Sequence, residues 1–194
     1  MTKGRWFTFG TVLLLLHVGA EVKAASLDGV SVTIDWWLID ASIGQQVVTV
    51  GPDIEVSCPD ASSGVNGSLC NPFVNDTVTF DLGSDSIAFQ VLDTTCPSCV
   101  YAMQDFNGYR FSGLGVGGYW DHFFLETNIL GLSESRGTFD GSTLSINLAG
   151  LNFSPNQWFA VTLLAAPVPV PPALWLFVFA ICGTCSLLAT RHGV

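Results

Sequence analysis

Apolar and polar residues alternate with a period of two in five separate stretches of this chain. Val30, Val32, Ile34, Trp36 and Leu38 fall on one face, against Ser31, Thr33, Asp35 and Trp37 on the other. Val78, Phe80 and Leu82 repeat the pattern, as do Ile87, Phe89 and Val91. Leu144, Ile146 and Leu148 follow, and Phe159, Val161 and Leu163 close the series. An extended backbone turns successive side chains to opposite faces, so this periodicity predicts half-buried β-strands. Turn formers separate the runs: Gly51-Pro52-Asp53, Asn71-Pro72, Gly83-Ser84-Asp85 and Ser154-Pro155-Asn156. Asn107-Gly108 and Asp140-Gly141 have the composition of hairpin turns. No stretch of the body keeps a helical period. The expected fold is all-β: an antiparallel β-sandwich of about seven to nine strands, spanning residues 25–164. A body of roughly 140 residues is long enough to bury one core.

The two ends are different in kind. Lys3 and Arg5 precede an apolar run over residues 6–19, and Val22-Lys23-Ala24 follows it. That order predicts a signal peptide over residues 1–24, cleaved after Ala24, with an uncleaved anchor as the alternative. Near the other end, Pro167, Pro169, Pro171 and Pro172 crowd into residues 165–172. Proline lacks an N–H and fixes φ, so this segment is expected to be an extended linker. Residues 173–189 then carry no charge. That length meets the lower limit for a membrane span, about 17 to 25 residues. The expected transmembrane helix covers 173–190. Arg191 behind it acts as a topological stop and places residues 191–194 in the cytoplasm.

Charge narrows the partners. Residues 25–172 hold fifteen Asp and Glu against two Arg, a net of −13. Such a body is not expected to bind nucleic acid or to adsorb to anionic lipid. The cysteines form two groups, Cys58, Cys70, Cys96 and Cys99 in the body and Cys182 and Cys185 in the tail. In an exported chain the four body cysteines read as disulfides, with three pairings open. Cys58 with Cys70, and Cys96 with Cys99, would each close a local loop rich in turn residues.

The tail Val168-Pro169-Val170-Pro171-Pro172-Ala173-Leu174-Trp175-Leu176-Phe177 resembles the PEP-CTERM sorting signal, in the variant that reads roughly V-P-L-P-A-A-L-W-L-F. Val170 stands where the name-giving motif has Glu. Cys182-Gly183-Thr184-Cys185 replaces the usual glycines, and the basic end is reduced to Arg191 and His192. The resemblance implies a substrate of exosortase, a membrane cysteine protease, with Val168, Pro169, Val170, Pro171 and Pro172 as the recognition segment. It further implies export across the inner membrane, temporary anchoring by the C-terminal helix, and delivery to the cell surface or beyond. Exopolysaccharide is the implied setting.

Candidate chemistry in the body is sparse, and no enzymatic activity, metal or cofactor is expected. His122 is the single body histidine and sits beside Asp121. A dyad needs a nucleophile as well, and no Gly-x-Ser-x-Gly elbow is present. A secreted hydrolase is therefore the weakest of the readings considered. Cys96-Pro97-Ser98-Cys99 has redox-site spacing, but no helix follows it to lower a thiol pKa. Asp53, Glu55, Asp60, Asp81, Asp85 and Asp93 flank loops without forming a calcium-loop pattern, and read as a solvated acidic surface. Aromatic residues are the better binding candidates. Trp37, Tyr119 and Trp120 are possible platforms for sugar rings, against the plainer expectation that they pack. A structural or adhesive role is the expected function, with a carbohydrate- or calcium-binding module as the alternative.

Overall fold

The computed structural model describes residues 25–39, 41–95 and 99–167. The predicted signal peptide, sorting motif, membrane helix and Arg191 lie outside the described residues. Among the described residues, no helix is long and apolar enough to cross a membrane.

The body is all-β. Its longer strands are β1 (Ser31–Leu38), β2 (Ala41–Thr49), β5 (Thr77–Leu82), β6 (Ser86–Asp93), β8 (Asn107–Ser112), β9 (Trp120–Thr127), β11 (Thr143–Asn147) and β13 (Trp158–Ala165). Five short strands lie between them: β3 (Val56–Cys58), β4 (Gly67–Ser68), β7 (Cys99–Val100), β10 (Gly137–Phe139) and β12 (Asn152–Phe153). The thirteen strands among the described residues exceed the expected seven to nine, and the short ones make up the excess. A strand of two or three residues is too short to display alternation, so periodicity cannot reveal it. Two single 3₁₀ turns, Leu114–Gly117 and Glu134–Arg136, are the helical elements among the described residues.

One six-stranded sheet has the order β10-β11-β8-β1-β2-β4, and a five-stranded sheet has the order β3-β5-β6-β13-β9. β12 and β7 form a separate pair. All pairings are antiparallel except β2 with β4. The sheets meet through aromatic side chains. Phe80 and Phe89 of the smaller sheet pack against Tyr109 of the larger, with ring centres 5.0 and 5.1 Å apart. Phe89 also stacks on Phe159 at 5.2 Å. The predicted apolar faces of β5, β6, β11 and β13 supply this core: Val78, Phe80, Leu82, Ile87, Phe89, Val91, Leu144, Ile146, Phe159, Val161 and Leu163 are all buried. In β1 the buried members are Val32 and Ile34, while Trp36 is only partly covered.

The Cys58–Cys70 disulfide is present, with Cα atoms 5.3 Å apart. It closes a loop over residues 58–70, the larger part of the connection between β3 and β5. Cys99 is also disulfide-bonded, and Cys96 lies outside the described residues.

Of the two predicted hairpin turns, Asp140-Gly141 is one. It joins β10 to β11, Gly141 takes φ 87°, and the Asp140 N–H donates to the Thr143 carbonyl at 3.2 Å. Asn107-Gly108 is not. These residues open β8 and pair with Leu38 and Trp37 on one side, while Gly108 faces Asn147 on the other. Glycine is needed at 108 because a Cβ there would collide with the Ile146 carbonyl oxygen of the neighbouring strand. The same residue type serves turns and close backbone approach, and composition does not separate them.

Candidate functional site

The strands leave a cavity of about 260 Å³ at one end of the sandwich. Trp36 and Leu38, at the end of β1, form one wall with Ile43 of β2. Pro72, Phe73 and Asp76 come from the stretch between Cys70 and β5, just beyond the loop that the Cys58–Cys70 bridge closes. The opposite wall runs from Cys99 to Ala102 with Phe153 of β12. Paired register sets that wall: Phe153 lies opposite Cys99, and Tyr101 exchanges two backbone hydrogen bonds with Gly150 and Leu151.

Aromatic contacts link the walls. Trp36 stacks on Phe73 with centres 5.2 Å apart and planes 18° from parallel. Phe73 stacks on Phe153 at 6.3 Å, and Tyr101 meets Phe153 edge-on at 5.6 Å and 87°. The polar groups at the cavity are mostly engaged with one another. The Trp36 indole N–H donates to Asn107 Oδ1 at 3.0 Å, and Asn107 Nδ2 donates to the Ala102 carbonyl at 3.2 Å. Asp76 Oδ1 accepts from Thr94 Oγ1 at 2.9 Å, the Thr95 N–H at 2.8 Å and Thr95 Oγ1 at 3.1 Å. Asp76 Oδ2 accepts no hydrogen bond among the described residues.

Two phenols are buried here, Tyr101 in the cavity wall and Tyr109 in the core. Burial pushes the Tyr101 and Tyr109 ionisations well above the ordinary tyrosine value, because desolvation penalises the phenolate. The two hydroxyls interact electrostatically, yet neither makes a well-formed hydrogen bond.

The predicted platforms have separate fates. Tyr119 is 89% exposed. Trp37 lies on the outer face of the six-stranded sheet, but its ring is already covered: the Arg110 guanidinium sits 3.8 Å from the ring centre. Trp120 is corrected by its burial. It is 6% exposed, and its indole N–H donates to the Leu114 carbonyl at 3.0 Å. It anchors the 3₁₀ turn rather than facing solvent. His122 is open to solvent, and its Nδ1 lies 3.1 Å from Asp121 Oδ2. No hydroxyl or thiol joins that pair among the described residues. The described residues hold no group of three or more His, Cys, Asp or Glu able to hold a metal.

The two ends of the body converge. The Ser26 N–H donates to the Gly117 carbonyl at 2.8 Å, and the Ala166 N–H donates to the Tyr119 carbonyl at 2.9 Å. One short segment between the 3₁₀ turn and β9 therefore holds both the entry and the exit of the domain.

Sequence reasoning placed Trp36 in the core and did not single out Phe73, Tyr101 or Phe153. These aromatic residues stand far apart in sequence, and only β-pairing and a disulfide bring them to one place. The fold and site define an all-β, sandwich-like domain with an aromatic end cavity. Comparison of the chain with protein-family models, curated proteins and solved structures finds no match.

Proposed function

We propose that this protein is an exported sandwich domain, carried to the cell surface or released from it, with a structural or adhesive role in a polysaccharide-rich matrix. In this reading residues 1–24 direct export. Residues 168–172 present an extended segment to exosortase, and residues 173–190 hold the protein in the membrane until it is processed. The resemblance of the tail to a sorting signal motivates the reading. The observation that carries it is the order of the tail: a proline-rich segment, an uncharged apolar stretch, then Arg191. Among the described residues, the core runs from Leu27 to Leu163, with Ala25 packed against it. Both predicted cuts, after Ala24 and near the proline motif, fall outside that span. Processing at either end would leave every described core contact in place. Tyr119, exposed beside the exit of the domain, is the residue of the three predicted platforms best able to stack on a sugar ring.

The test is mass spectrometry of the mature protein from its own host, with and without exosortase. Mature chains should begin at Ala25 and should lose the tail only when the enzyme is present. A C-terminus at Val194 in both strains would overturn the sorting reading and leave a single-span membrane protein.

A further inference from the structure

We propose that the end cavity binds a small organic ammonium ion, of the trimethylammonium or alkylammonium class. The inference rests on the cavity and not on the sorting tail. Four aromatic side chains, Trp36, Phe73, Tyr101 and Phe153, line one space of about 260 Å³. That lies near the lower end of ligand pockets, about 300 to 1,000 Å³. Trp36 and Phe73 are nearly parallel, whereas Tyr101 stands at 87° to Phe153. Stacking among Trp36, Phe73 and Phe153 takes up the ring faces between them, and the faces left over carry the negative potential that attracts a cation.

The polar groups decide among ligand classes. A sugar needs several hydrogen-bond partners for its hydroxyls. Here Asn107 uses its amide on Trp36 and Ala102. The polar side chains left at the cavity are Tyr101, whose buried hydroxyl has no hydrogen-bond partner, and Asp76. Its Oδ1 is occupied by Thr94 and Thr95, which orient the carboxylate and leave Oδ2 for a ligand. One carboxylate among aromatic walls matches one positive charge on an apolar body. The long-range field agrees: with a net of −13 over residues 25–172, the body attracts cations and repels anions. The Cys58–Cys70 bridge then has a consequence beyond stability. It anchors Cys70, from which the chain runs directly to Phe73 and Asp76, and so limits the freedom of two of the ligand contacts.

The experiment is calorimetric titration of the full-length chain in a non-ionic micelle with choline, and with its uncharged isostere 3,3-dimethylbutanol. Choline should bind saturably at millimolar concentration or below, and the alcohol at least about tenfold more weakly. Asp76→Asn keeps the Oδ1 acceptor for Thr94 and Thr95 but removes the charge. It should weaken choline by about tenfold and leave the alcohol unchanged. Trp36→Phe keeps a stacked ring with a weaker π face and should weaken choline as well. Thermal melting of each variant checks that it folds. A second arm uses glycerophosphocholine: equal binding assigns the site to a lipid-type headgroup, and binding of choline alone assigns it to a free ammonium solute. Equal affinity for choline and the alcohol, or no saturable choline binding by a folded chain, overturns the proposal. So does an Asp76→Asn variant that melts normally and binds choline undiminished.

Discussion

The Arg110 guanidinium lies 3.8 Å from the centre of the Trp37 ring, on the outer face of the six-stranded sheet. Register explains the contact. Trp37 stands opposite Gly108, which has no side chain to cover it, and Arg110 lies two residues further along the same strand. The Phe106 ring is 5.0 Å from the same guanidinium carbon. Asp35 faces Arg110 across the strands but accepts from Ser42, and no Arg110 ion pair forms among the described residues. The cation is held by rings instead of a carboxylate. A double-mutant cycle with Arg110→Ala and Trp37→Ala should give a coupling of about 0.5–2 kcal/mol in urea unfolding. Arg110→Lys should recover only part of it, since an ammonium does not lie flat on an indole. A coupling near zero would mean that the stack is incidental.

Gly108→Ala should be among the costliest single-methyl changes in the domain. Its Cβ would meet a backbone carbonyl, at Ile146, and not a side chain that can turn away. The strands must separate or shear, at a cost of about 1–3 kcal/mol or more. Denaturant titration measures the loss. Hydrogen exchange should locate it in the pairing of β8 with β11, and faster exchange elsewhere with that pair unchanged would contradict the assignment.

Glu55 joins two segments through one carboxylate. Its Oε1 accepts the Gly51 N–H at 2.9 Å, and its Oε2 accepts the Leu82 N–H at 2.6 Å. Glu55→Gln keeps one acceptor but turns an NH₂ toward the second donor. The expected destabilisation is about 1.5–3 kcal/mol, the range for hydrogen bonds to a charged group. An Asp81→Asn variant serves as the control, because no hydrogen bond ties its side chain among the described residues. Equal losses in both would count against the bridging role of Glu55.

Tyr101 and Tyr109 make the fold sensitive to alkali. Below the ordinary tyrosine value of 10.0 both phenols are neutral, folded or unfolded. Above it the unfolded chain ionises, while burial keeps the folded phenols protonated. Stability is therefore fully present below 10.0 and falls as pH rises beyond it. Tyr101→Phe should flatten that fall. Near neutrality it should be neutral or stabilising by about 1 kcal/mol, because it removes a buried hydroxyl that lacks a well-formed hydrogen bond. Urea unfolding across the alkaline range checks both statements. A steeper loss in the variant than in the parent would reverse them.

Much of the fold was legible in local pattern. The alternating runs around Phe80, Phe89, Ile146 and Val161 became β5, β6, β11 and β13, with the predicted face buried in each. Their signal survives because one face meets a core and the other meets water, and the sequence records that difference at every second residue. β2 escaped notice because its buried positions are few: Gly44 and Val48 are the fully buried residues in a strand of nine. The loop disulfide was legible only as one of three open pairings, the one in which Cys58 and Cys70 close a local loop rich in turn formers.

The site was less legible. Trp120 and Tyr119 are adjacent aromatic residues with opposite exposures, 6% and 89%. Strand geometry turns neighbours to opposite faces, but which face meets the core depends on the sheet behind it. Asn107-Gly108 failed as a turn for a related reason, because the need for glycine came from Ile146, far away in the chain.

Local sequence by itself determined the all-β class, the strands with one wet face and the acidity of the body, while the structure selected Cys58–Cys70 from three open pairings. Local sequence also carries the whole case for export and sorting, which rests on composition and order at the two ends. Tertiary structure alone decided that Trp36, Phe73, Tyr101, Phe153 and Asp76 share one cavity, and that Arg110 rests on Trp37. The physical reason is range. Hydrophobic periodicity is written residue by residue, whereas a cavity is what remains after distant strands pair, and no local pattern encodes the space between them.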